Sequence, residues 1–103
     1  MAQSPQSPLA SLEKLDPELF KAMQQGRQFA LGDGGALPKK YKLLIAVALD
    51  AAHGSPDGVR NLAQQAMKEG ATKQELADTL RVVHYIFGGG AIHVAARGLQ
   101  GVF

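Results

Sequence analysis

Cysteine is absent from the whole 103-residue chain. Its absence removes disulfides, thiolate nucleophiles, Cys-x-x-Cys redox pairs and thiolate metal sites. Tryptophan is also missing. Aromatic residues together make up 6% of the chain, too few for a base-stacking platform. Charge of either sign is in little excess: 11 Lys and Arg against 9 Asp and Glu leave +2. Such a balance gives no strong field to steer a polyanion. The one basic cluster, Lys39, Lys40 and Lys42, reads as a solvated helix start rather than a nucleic-acid patch. Long apolar runs are lacking too. "LLIAVALDAA" is far shorter than the roughly 20 residues of a membrane span. "MAQSPQSPLAS" has no basic segment leading into an apolar one, so it does not read as a signal peptide. The expectation is a cytoplasmic protein that binds neither nucleic acid nor membrane.

What the chain does have is helical spacing. Residues 1–10, rich in Ser, Pro and Gln, are expected to form a flexible tail, with one domain over 11–103. Asp16-Pro17 reads as N-cap and first helical position, because Pro17 has no N–H to leave unpaired. Leu19, Phe20, Met23 and Ala30 then predict a helix over about 17–30, closed by "LGDGG". Pro38 opens a second helix. Over Lys42 to Ala52 its apolar residues surround almost the whole circumference, with Asp50 as the only charge. Such a helix is expected to be buried on every face. A 103-residue monomer can hardly cover it, which implies a subunit interface.

His53-Gly54 ends that helix. A third, over about 58–69, carries a stripe of Val59, Leu62, Ala63, Ala66 and Met67. Gly70 follows as a helix stop. Thr72 with Glu75 forms a capping box for a fourth helix over about 73–87. Leu76, Leu80, Val83, His84 and Phe87 share its inner face. "GGG" at 88–90 breaks it. "AIHVAARGLQGVF" makes the last helix, with Ile92, Ala95, Ala96 and Leu99 inward. No segment alternates as a strand does. The fold class is all-α, about five helices joined by short turns.

Few motifs carry chemistry. "GDGG" and "GGG" are not phosphate loops, since neither joins a strand to a helix or ends in Gly-Lys-Ser/Thr. The three histidines, His53, His84 and His93, are 31 and 9 residues apart and match no zinc signature. No metal or cofactor is therefore expected. His53 suits a helix C-terminus, where the dipole favours a cation. His84 on an inward stripe is either a satisfied core group or a pocket wall, the core reading being the commoner. His93 lies one position off the inner stripe and is a candidate to face a neighbouring subunit. Asp57 reads as a first-turn acid. Arg60 sits near the same helix start, where the dipole disfavours a cation. It should therefore have a partner, Asp57 or an anionic ligand. A base, an acid and an anion anchor could together support proton transfer on a carboxylate.

The order of these pieces carries a resemblance. "LPKKYKLLIAVALDAA", a turn, "NLAQQAMKEGATKQELADTLRVV" and "GGGA" resemble the carboxymuconolactone decarboxylase-like family, which includes alkylhydroperoxidase-D-like proteins. The likeness covers about residues 37–99, and Ala66 to Glu75 is its most specific stretch. It implies an all-α domain built on a central helical hairpin, and a homo-oligomer, trimer or hexamer. The family's peroxidase branch has Cys-x-x-Cys-x-x-x-His at the turn and a glutamate on the preceding helix. Those positions fall here on Ser55, Gly58, Leu62 and Leu43, and none matches. Thiol peroxidase chemistry is therefore not expected. The decarboxylase branch needs a cation for carboxylates and an acid for the carbanion that forms. Arg60, His53, His84 and, at the same turn, Asp57 are the candidate residues, with a small organic acid as ligand. The other reading is a non-catalytic oligomeric scaffold or small-molecule-binding member.

Overall fold

The computed structural model describes residues 9–103, which form six α-helices and no strand. Residues 1–8 of the expected tail lie outside the described residues, and Leu9 and Ala10 are already helical. The chain divides into two compact units, the first ending at Gly32 and the second running from Asp33 to Phe103. Among the described residues no helix is long and apolar enough to cross a membrane.

The first unit holds α1 (Leu9–Leu15) and α2 (Pro17–Leu31). The sequence reading missed α1, which is only seven residues long. Asp16 caps α2: its carboxylate accepts from the Leu19 N–H at 3.0 Å, and Pro17 takes the first helical position. Neither helix has a buried residue.

The second unit comprises α3 (Lys39–His53), α4 (Pro56–Lys68), α5 (Lys73–Phe87) and α6 (Gly89–Gly98). Helices α3 and α4 form the central hairpin, and α3 also packs against α5 and α6. The core is Leu43, Leu44, Val47 and Ala51 of α3, Val59, Leu62, Ala63 and Ala66 of α4, Leu76 and Val83 of α5, and Ala91 and Ala95 of α6. Burying each Leu or Val contributes about 1.5–3 kcal/mol relative to exposure. The alanines add little area but let the helix axes approach. Gly98 carries this furthest: a Cβ there would meet the Pro56 carbonyl and stand 3.0 Å from Val59 Cβ. The end of α6 thus rests on the start of α4.

One chain does not cover the α3 helix all round, as its apolar circumference led one to expect. Leu49 is 61% and Ile45 48% exposed, and Tyr41 continues their stripe. The reason is geometric: α4, α5 and α6 take the face that carries Leu43, Leu44, Val47 and Ala51, and i, i+4, i+8 spacing puts Tyr41, Ile45 and Leu49 together on another. On α5 the buried residues are Leu76 and Val83, while His84 and Phe87 are exposed. The glycine run divides its work. Gly88, at φ 88°, ends α5, and Gly89 and Gly90 begin α6.

Candidate functional site

The α3–α4 corner is the first place to examine. His53 is the last residue of α3, and Gly54 follows at φ 92°, with its N–H returned to Asp50 O at 3.0 Å. Ser55 is the N-cap of α4 without a side-chain hydrogen bond, Pro56 is N1, and Asp57 lies in the first turn. His53 and Asp57 are both exposed. Each therefore stands at the helix end whose dipole suits it, the acid at an N-terminus and the imidazole at a C-terminus.

Arg60 corrects an expectation. It has partners other than Asp57: Nη1 donates to Gln100 O at 2.6 Å and to Gly98 O at 3.3 Å. The guanidinium thus closes the C-terminal end of α6, where unpaired carbonyls carry partial negative charge. The unfavourable dipole of its own helix is offset by the favourable one of its neighbour.

The positions matching the peroxidase motif are occupied by a different arrangement. Leu43 and Leu62 are core residues. Gly58 faces the Asp50 carboxylate, and a Cβ built on Gly58 would coincide with Asp50 Oδ2 and stand 3.0 Å from Ser55 Oγ. The space that a side chain at position 58 would need is filled by the acid of the preceding helix.

The second place lies between α5 and α6. Ala77, Leu80, Arg81, His84 and Ile92 line an open depression of about 350 Å³. Positions 77, 80, 81 and 84 are one helical stripe on α5. Gly88 turns the chain so that Ile92 of α6 can complete the wall. His84 is therefore a pocket wall, not a core group. The residues around this depression do not include His53, Asp57 or Arg60. Sequence reasoning missed Arg81, whose Nη1 donates to Asp78 Oδ1 at 3.0 Å. The available signal was its place three residues before His84 on the same stripe.

Ion pairs lie elsewhere in the second unit. Lys40 Nζ is 3.2 Å from Glu75 Oε2, and Lys39 Nζ is 3.9 Å from Glu69 Oε2. These are two of the three lysines of the basic cluster, now paired with acids. In the capping box the Glu75 N–H donates to Thr72 Oγ1 at 3.0 Å and the Thr72 N–H donates to Glu75 Oε1 at 2.9 Å. That backbone donor first, and Lys40 second, hold the Glu75 carboxyl below its ordinary range. The hydrogen bond to Glu75 raises Lys40 above its own. Among the described residues no group of three or more His, Cys, Asp or Glu side chains is placed to hold a metal ion.

A small all-α unit with a central hairpin, a corner without cysteine and an apolar depression defines the class: a cysteine-free helical protein with a carboxymuconolactone decarboxylase-like fold. The chain belongs to the carboxymuconolactone decarboxylase family, whose model matches residues 17–100. Its fold is similar to that of lpg0406, a family protein from Legionella pneumophila solved in its apo form. The two share 39% identity and a TM-score of 0.82 over 89% of this chain and 81% of that one. A Burkholderia xenovorans LB400 structure, provisionally assigned as a carboxymuconolactone decarboxylase, gives a TM-score of 0.84. It is 31% identical over 94% of this chain and 76% of that one. The uncharacterized protein H16_B0147 of Cupriavidus necator is 34% identical over 89 residues, 86% of this chain and 78% of the relative.

Proposed function

We propose that this chain is a cysteine-independent member of its family that performs proton transfer, with decarboxylation as the reaction class, on a small organic acid bound at the α5–α6 depression. What supports this reading is that His84 and Arg81, three positions apart on α5, are the two residues with ionisable side chains among those that line an otherwise apolar depression. In a decarboxylation the C–CO₂ bond breaks, carbon dioxide leaves, and the electron pair stays on carbon as an enolate or carbanion. Arg81 is suited to hold the anionic oxygen and His84, as imidazolium, to return a proton to carbon. In this reading His53, Asp57 and Arg60 shape the corner and take no part in the chemistry.

The test is carbon dioxide release from lactone acids of the carboxymuconolactone type. His84→Gln should lower kcat about 100-fold or more, the usual size of a general acid's contribution. His53→Gln should leave it within about twofold. An unchanged rate in His84→Gln would remove the proposal. A second reading, a non-catalytic scaffold, is favoured by the uncovered stripe Tyr41, Ile45 and Leu49. The same stripe supports assembly as a homo-oligomer, for which the family resemblance implies a trimer or hexamer.

A further inference from the structure

One side of α5 is apolar and turned to solvent. Leu76 and Val83 of this helix are core residues, while Val82, Tyr85 and Ile86 are 64%, 86% and 63% exposed. Spacing of i, i+3 and i+4 sets these three side by side as one ridge. Leu80 and His84, which line the depression, stand two positions before Val82 and Ile86. Residues two apart do not share a helix face, so the ridge and the depression lie on different sides of α5.

Charge and area bear on what covers the ridge. Residues 82–92 contain no Asp, Glu, Lys or Arg. The charges just before them, Asp78 and Arg81, neutralise each other at 3.0 Å. Two copies can therefore meet at this ridge without opposing like charges, which are costly at interfaces. An anionic lipid surface is the poorer match, because helices that lie on one carry a basic polar face. A small ligand is poorer still, because it needs a concave site and the ridge is convex. Tyr85, Ile86 and Val82 together offer roughly 300–400 Å² of apolar surface per copy. Interfaces are a little over half apolar. With its polar rim the ridge thus corresponds to roughly 1,200 Å² over two copies, the lower end of standard-size interfaces.

We propose that Val82, Tyr85 and Ile86 form a contact between two copies of this chain, packed ridge to ridge. The contact leaves the depression, on another side of α5, open to its ligand. It deepens the homo-oligomer reading and rests on it, but it depends neither on the catalytic reading nor on the α3 stripe.

The experiment is sedimentation velocity of the full chain over a wide range of concentration. The native chain should sediment as more than one copy. Ile86→Glu and Tyr85→Lys should each raise the dissociation constant of the assembly at least tenfold. His84→Gln should leave it within about twofold. Because Tyr85 and Ile86 are exposed, both variants should fold, and circular dichroism checks that they keep the native helix content. A native chain that sediments as single copies would overturn the inference. So would Ile86→Glu and Tyr85→Lys that assemble as the native chain does. Retention of the native chain, but not of Ile86→Glu, on phosphatidylglycerol vesicles would also overturn it, since the ridge would then belong to a membrane. Dissociation by Leu49→Glu but not by Ile86→Glu removes this contact and leaves assembly through α3 standing. Dissociation by Ile86→Glu but not by Leu49→Glu does the reverse.

Discussion

Gly58 and Asp50 meet across the α3–α4 corner, where the Asp50 carboxylate lies in the space a side chain at 58 would need. An alanine at 58 would raise helix propensity by about 1 kcal/mol but force the Asp50 carboxylate, the end of a flexible side chain, to turn aside, at a cost of about 0.5–1.5 kcal/mol. In the native background Gly58→Ala should therefore be close to neutral. With Asp50→Ala already present it should stabilise. Denaturant midpoints of the four chains give the coupling, expected at about 0.5–1.5 kcal/mol; additive effects would mean the contact is absent in solution. Glu75 supports a second prediction. Its carboxyl is held below the ordinary range by the Thr72 N–H and then by Lys40. The folded state therefore gains from it fully above the unfolded glutamate value, about 4.3, and loses that gain as pH falls through the lower folded value. Lys40, raised by Glu75, behaves oppositely: its share is complete at neutral pH and lost as pH rises through its folded value. Between about pH 5 and 3 the native chain should lose stability more steeply than Glu75→Gln, and salt should shrink the difference because both side chains are only partly buried.

At the scale of elements, the end of α6 is held by another helix. Arg60 reaches from the first turns of α4 to Gly98 O and Gln100 O, while the bare Cα of Gly98 lets the two helices touch. Charge-assisted bonds of this kind contribute about 1–3 kcal/mol. Arg60→Met should lower stability by about 1–2 kcal/mol and speed amide exchange at Val102, whose N–H bonds to Leu99 O. Unchanged exchange there would show that α6 ends without help. The helix starts were the most legible elements. Asp16-Pro17 and Thr72 with Glu75 form caps from residues three positions apart, so local sequence contains the whole interaction. Helix α4 starts at Pro56, two residues before the expected 58, because proline suits the first helical position.

For the whole molecule the main fact is the apolar surface one chain leaves uncovered. Tyr41, Ile45 and Leu49 on α3, and Val82, Tyr85, Ile86 and Phe87 near the end of α5, are all exposed. Apolar surface concentrated in this way marks interaction sites in soluble proteins. Sedimentation of the purified chain should give a species heavier than one copy. Leu49→Glu should shift it toward single copies without unfolding them, since Leu49 adds little to the core of its own chain. A native chain that sediments as a monomer would end the proposal of assembly through α3.

The amino-acid sequence by itself determined the helical class, the caps and the absence of thiol chemistry, because composition and contacts within one or two turns suffice for these. The family, too, was legible in the run from Ala66 to Glu75. Tertiary structure alone decided the rest. It gave Arg60 to the carbonyls at the end of α6, 38 and 40 residues away, and filled the space beside Gly58 with Asp50. It moved His84 from an inward stripe to an open wall beside Arg81. Periodicity tells which residues share a helix face, but not where the neighbouring helix stops covering that face. On α5 the cover ends before His84, and the candidate site lies at that edge.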